Sequence, residues 1–182
     1  MSTIIDTQKI KAVALYILQQ TGPISFIHLW KILYFAEMKH ISRYGRPITD
    51  DVYVAMPKGP VPSILCDAKN GNAYNEISSS LEIKGYNING TERPDMDELS
   101  KSDIKCLSES IQENLHKSPE ELSTLSHGTA YKNARAKNLN KKNNPIDWID
   151  IAVEAGAPSG MIEYIHERQD IHRQLANDSQ FC

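Results

Sequence analysis

Between Phe26 and Tyr44 apolar residues follow one another with almost no polar face. With no membrane-length apolar run, that pattern predicts a long helix buried at the centre of the fold. At about 100° per residue, Phe26, Leu29, Trp30, Leu33, Glu37, His40 and Tyr44 share one side. His28, Lys31 and Lys39 form a narrow opposite stripe, with Phe35 one helical turn from each of the two lysines. Gly45 and Pro47 end the helix, and Val52 to Met56 reads as a short strand. Pro57, Gly59, Pro60 and Pro62 then predict a rigid loop without regular structure, packed beside the helix.

Upstream, Ile10, Val13, Ala14, Ile17 and Leu18 recur at the helical period, with Asp6 placed to cap and Ile5 to staple against Ile10. Gly22-Pro23 ends that helix and Ser25 caps the central one. Downstream, Ser63 to Asp67 predicts a helical turn and Asp67 to Ser80 a polar loop. Leu81 to Lys84 and Tyr86 to Ile88 read as strands, which with Val52 to Met56 would make one minor antiparallel sheet. Pro94 to Asp97 reads as a linker. Ser100 caps a helix with Ile104, Leu107, Ile111 and Leu115 as its apolar face, and Ser118-Pro119-Glu120-Glu121 is a capping box opening a helix through Leu122 and Leu125 towards Tyr131. Asn138 to Asn144 reads as a loop, Pro145 as the start of a helix that Gly156 ends, and Met161 to Ala176 as the last helix before a frayed tail. The expected fold is α+β and predominantly helical, with a central buried helix and a small antiparallel sheet.

A length of 182 residues suits one domain spanning 1–182. The formal net charge of -3 supplies no general pull towards nucleic acid or an anionic membrane. Cys66, Cys106 and Cys182 are far apart and odd in number, which suits reduced thiols in a cytoplasm. The apolar segment Ala12 to Leu18 is too short, and too poor in a cleavage site, for a secretory signal.

Glu-x-x-His occurs at Glu37/His40, Glu113/His116 and Glu163/His166, the spacing of carboxylate-bridged dimetal helices. The last two pairs point away from the apolar faces of their helices, so no metal cage is expected. Glu37 and His40 lie on the apolar side, where an ionised group must be paired or neutral. His127, following Ser126 in the middle of the predicted helix, is the expected partner. Glu37, His40 and His127, closed by the Tyr44 hydroxyl, are therefore expected to form a buried structural cluster. No phosphate loop or nucleophile motif accompanies them, and no cofactor or catalytic residue is expected. An enzyme using the Glu37/His40/His127 cluster is one alternative. Another is a winged-helix-like DNA binder, but a recognition helix needs exposed donors and this one opens on Phe26, Ile27, His28, Leu29 and Trp30.

The motifs Lys31-Ile32-Leu33-Tyr34, His40, Tyr44-Gly45-Arg46-Pro47-Ile48-Thr49, Tyr53, Ala55-Met56 and Gly59-Pro60-Val61-Pro62 occur in order. Leu99-Ser100, Glu121-Leu122-Ser123 and Ser126-His127 follow. This series resembles the SocA-like family, the Panacea antitoxin domain found in phage-associated proteins. The chain departs from that pattern at Asp50, where glycine is usual, at Pro57-Lys58, and at Tyr131, where tryptophan is frequent. The resemblance implies a cytoplasmic protein-binding module that neutralises a cognate toxin directly or delivers it to a protease. Interface energy concentrates in aromatic and basic anchors, which singles out Lys31, Phe35, Lys39, Lys58, Pro60, Val61 and Arg135 as the partner-binding candidates. Arg135 belongs to a basic run with Lys132, Lys137, Lys141 and Lys142, whose other reading is a solvated helix end.

Overall fold

The computed structural model of the chain describes residues 6–137 and 144–178, with side chains as far as Ile171. The expected Ile5 staple, the predicted loop at 138–143 and the tail beyond 178 lie outside the described residues. Helix α2, Phe26–Tyr44, runs through the centre with Leu29, Ile32, Leu33, Tyr34, Ala36 and Ile41 buried around most of its circumference. Ser25 Oγ accepts from His28 N at 3.2 Å to start it, and Gly45 in the left-handed region (φ 69°) ends it. Around it pack α1 (Thr7–Thr21), α5 (Lys101–Asn114), α6 (Pro119–Leu125) and α8 (Trp148–Glu154). Helix α9, Ser159–Asp178, rests on its end: any Cβ at Gly45 would strike Met161 Sδ and the Tyr164 ring.

The expected single minor sheet is two sheets. Ile24–Ser25 (β1), Leu81–Lys84 (β4) and Asn87–Gly90 (β5) form one antiparallel sheet in the order β1-β5-β4. Tyr53–Met56 (β2), Gly59–Pro62 (β3) and Asn144–Pro145 (β6) form another in the order β3-β2-β6. The proline-rich stretch is therefore a strand. The register pairs Val54 with Val61, and Ser63 N continues the ladder to Val52 O at 3.0 Å. Residues 59, 61 and 63 thus turn their donors inward, and the donors that Pro60 and Pro62 lack would have pointed to the open edge. Pro145 likewise sits in a strand, and α8 starts later, capped by Asp147.

Further corrections concern the helices. The polar stretch after Asp67 is partly helical, through α3 (Ser63–Lys69) and α4 (Asn75–Ser78). Helix α5 buries Asp103, Cys106, Leu107, Ser110 and Asn114, while Leu115 is exposed. Its inner face is rotated from the predicted apolar one because small polar side chains serve backbone groups there. Ser110 Oγ donates to the Ile32 carbonyl within α2 at 2.6 Å, and Asn114 Nδ2 donates to Ser110 O at 2.9 Å. The helix opened by Ser118 stops at Leu125, and a second, α7 (Thr129–Lys137), begins after a break at Ser126–Gly128. Leu122 is buried and Leu125 is 54% exposed.

Candidate protein-interaction surface

Glu37 and His40 are fully buried on the C-terminal half of α2. Glu37 reaches back to the chain that follows the helix. Its Oε2 accepts from Ile48 N at 2.5 Å, and its Oε1 accepts from Thr49 N at 3.0 Å and Thr49 Oγ1 at 2.5 Å. Burial pushes its pKa up to about 8, against the pull of those hydrogen bonds. His40 Nδ1 donates to the Arg46 carbonyl at 2.7 Å. Its Nε2 lies 3.1 Å from both Ser102 Oγ and Asp103 Oδ1, with hydrogen-bonding geometry only to the serine.

Asp103 is the anion of this region. It accepts from Ser100 N at 2.8 Å, closing the cap of α5, and receives the Lys9 ammonium. Burial works to raise its pKa, but the contacts from His40, Lys9 and Ser100 outweigh it and hold the carboxyl well below the usual range. Asp51, also buried, accepts from Ser63 Oγ at 3.1 Å, Ile64 N at 3.0 Å and Leu65 N at 3.2 Å. It caps α3, whose own cap position is Pro62, and burial raises its pKa to about 6. Sequence reasoning missed both aspartates. The Ser100-x-x-Asp103 spacing could have found the second; no local signal pointed to the first.

His127 is not part of this cluster. It sits in the break between α6 and α7, its ring flat on Tyr131 with centroids 4.3 Å apart. The break packs beside Lys31, whose charge helps hold the His127 pKa down after burial. Lys31 precedes His40 by nine residues, about 13 Å along a helix axis. That spacing keeps His127 away from Glu37 and His40. Tyr44 offers its ring to His40, centroids 4.7 Å apart, and is 39% exposed.

What His127 and Lys31 do approach is the β2–β3 turn. Lys31, expected on the polar stripe, is buried, and its Nζ donates to the Pro60 carbonyl at 2.7 Å. Burial brings its pKa down to about 7. Gly59 (φ 100°) fits between Lys31 and Ser126, since a Cβ there would come within 2.9 Å of Lys31 Nζ and closer to Ser126 Oγ. Ser123 Oγ donates to Lys58 O at 2.9 Å, Tyr131 OH to Met56 O at 2.9 Å and Arg135 Nη1 to Ala55 O at 3.4 Å. Pro60 and Val61 are buried in this clasp, while Pro57 and Lys58 are exposed at its tip. Lys31, Pro60 and Val61 are therefore removed from the expected contact surface by burial. Arg135 is half-buried against β2, Lys137 approaches Asp150 at 3.7 Å and Lys132 is exposed; Lys141 and Lys142 lie outside the described residues.

On the other flank of α2, Phe35 and Met38, both half-buried, floor a groove of about 390 Å³. Its rim holds Lys39, Arg43 and Glu113, and Ala155 closes one end. Lys39 Nζ lies 2.8 Å from Glu113 Oε1, and Arg43 Nη2 lies 2.8 Å from Glu109 Oε2. His116, Glu163 and His166 are exposed, and among the described residues no group of His, Cys, Asp and Glu could hold a metal ion. Among them too, no helix is long and apolar enough to cross a membrane.

Residues 29–132, more than half of the chain, match the family described as antitoxin SocA-like, Panacea domain. The chain belongs to this family. No curated protein and no solved structure matches it. The Panacea match takes in nearly all of α2, the β2–β3 hairpin, α5, α6 and the start of α7, so most of both clusters and of the groove falls inside it, with Lys9, Arg135 and Ala155 outside.

Proposed function

We propose that this Panacea-domain protein is an antitoxin that works in the cytoplasm by binding a separately encoded toxin, masking it or presenting it to a protease. The observation that carries this reading is where the buried ionisable groups point. Glu37, His40, Asp51 and Lys31 each hold a backbone group, and Asp103 caps a helix while pairing with Lys9. That use of charge makes a rigid scaffold, and a rigid surface lowers the ordering cost of binding. Phe35 and Lys39 in the groove, and Lys58 and Arg135 around the hairpin, are the contact candidates left accessible or partly so. A DNA-binding reading finds less support, because β1 pairs with β5 and Phe26 N donates to Tyr86 O at 3.2 Å, which covers the start of α2.

Co-expression with the product of the neighbouring gene tests the proposal. The two chains should co-purify and the toxic effect should be suppressed, with Phe35→Ala weakening the complex by about tenfold or more if the groove takes an anchor. Failure to bind that product, together with sequence-specific duplex binding that survives moderate salt, would overturn it.

A further inference from the structure

The clasp around the β2–β3 turn gathers basic side chains from α2, the turn and α7. Lys31, Lys132 and Arg135 all act on the His127 imidazole, whose Nε2 is buried and lacks a hydrogen-bond partner. Lys31 is bonded to a carbonyl, not to an acid. The exposed Lys58 and Lys132 have no ion-pair partner among the described residues. Glu154 of α8 reaches the break but is engaged with backbone there: its Oε2 accepts from Ala130 N at 2.6 Å at the start of α7, in space left by the missing Cβ of Gly128. Glu121 of α6 likewise accepts from Ser118 N at 2.6 Å to close its own cap.

Other parts of the molecule carry less. The groove floored by Phe35 has its rim charges already compensated by Glu109 and Glu113. The cluster of Phe26, Trp30 and the exposed Tyr86 has its cation, Lys69, already over the Phe26 ring at 4.6 Å. At the hairpin clasp, exposed lysines stand beside an imidazole nitrogen without a hydrogen-bond partner.

We propose that the tip of the β2–β3 hairpin and the α6–α7 break that clasps it bind a carboxylate-rich segment of a partner protein, with Lys58, Lys132 and His127 supplying the opposing charge. The partner's identity as a toxin rests on the function proposed above; the surface and the acidic chemistry do not. Two consequences follow from the arrangement. Exposed lysines make association salt-sensitive. His127 is held towards its neutral form first by burial and then by the cations around it, so an arriving carboxylate offsets their repulsion and binding takes up a proton, strengthening as pH falls towards the imidazole range. The charged groups acting on His127 in that balance are Lys31 of α2 and Lys132 and Arg135 of α7, with Glu154 of α8 at the adjoining Ala130 amide and Lys58 on the turn whose backbone Ser123 holds.

The test titrates the isotopically labelled full chain with a hexaglutamate peptide, using hexaglutamine as control, and follows the His127 ring resonances by NMR across pH. Hexaglutamate is expected to shift residues around the turn, to raise the apparent His127 pKa and to lose affinity on adding salt. Lys58→Glu with Lys132→Glu should weaken binding about tenfold or more, while circular dichroism confirms the unchanged fold. His127→Gln should bind with little pH dependence. Equal shifts from hexaglutamine, no shifts with either peptide, or binding indifferent to the charge reversals would overturn the proposal. The neighbouring-gene product separates the two readings. If it binds wild type and the double reversal alike, the toxin reading stands and this surface falls. If hexaglutamate behaves as expected and no toxin binds, the surface stands and the toxin reading falls.

Discussion

The two ends of α2 bury charge in opposite ways. Near the C-terminus, the Asp103 carboxylate meets Lys9, His40 and the Ser100 amide, beside a Glu37 carboxyl that burial pushes towards its neutral form and that the Ile48 and Thr49 amides hold. Near the N-terminus, Lys31 meets one carbonyl and lies beside another base, His127. A buried charge with matched partners is costly to disturb, whereas a buried cation facing a carbonyl is close to giving up its proton. The first arrangement fixes the chain that leaves α2; the second leaves the hairpin beside it electrostatically unsatisfied.

The largest expected effect breaks the satisfied end. Asp103→Ala leaves the Lys9 ammonium without its anion and opens the capping box of α5, and should cost about 3–5 kcal/mol in urea denaturation. A loss under about 1 kcal/mol would show that the region is held by packing alone. Next, Lys31→Met should remove a pH dependence. The native pKa near 7 is depressed from 10.5, so the unfolded chain binds more protons between those values. The stability that Lys31 contributes is present above pH 10.5 and is lost as pH falls through 7. The methionine variant should therefore gain on wild type in Tm as pH drops from 10 to 6, by roughly 1–4 kcal/mol in stability. A constant difference would mean that Lys31 keeps its charge.

Glu37 runs the other way. Its native pKa near 8 is raised above the ordinary 4.5, so its contribution is complete below pH 4.5 and is lost as pH rises through 8. Glu37→Gln should lose ground to wild type at pH 5 and recover at pH 9, read as Tm at each pH. The smallest expected effect is a coupling energy. In a double-mutant cycle, Glu37→Gln and His127→Ala should add within about 0.5 kcal/mol, since the two sites share no partner, whereas His40→Ala and Asp103→Ala should couple by about 1 kcal/mol or more. Strong coupling of Glu37 to His127 would mean that the two ends communicate.

Much of the frame could be read from the chain because its signals are local. Ser25, Ser100 and Ser118 cap within one turn, Gly45 and Gly156 end helices by their own left-handed geometry, and the density of Phe26 to Tyr44 needs no partner to be recognised. The misreadings lie where a residue answers to something distant in sequence. Lys31 looked like a surface residue because its acceptor, Pro60 O, is 29 residues away. Gly59–Pro62 looked irregular because proline's missing donor matters only on the side that pairs, and that side is set by β2. The α6–α7 break at Ser126 was hidden by apolar spacing that continues across it, and the inner face of α5 by polar residues that serve α2. Of the site, Glu37 and His40 were legible as buried, and their true partners were not.

The prolines of the smaller strands carry one more consequence. β3 and β6 are the outer strands of their sheet, and Pro60, Pro62 and Pro145 fall on them. A foreign strand seeking to extend that sheet meets gaps in the row of donors on either side. Such edges are protection: they discourage self-assembly into fibrous aggregates while leaving the exposed Pro57 and Lys58 at the hairpin tip outside any strand pairing.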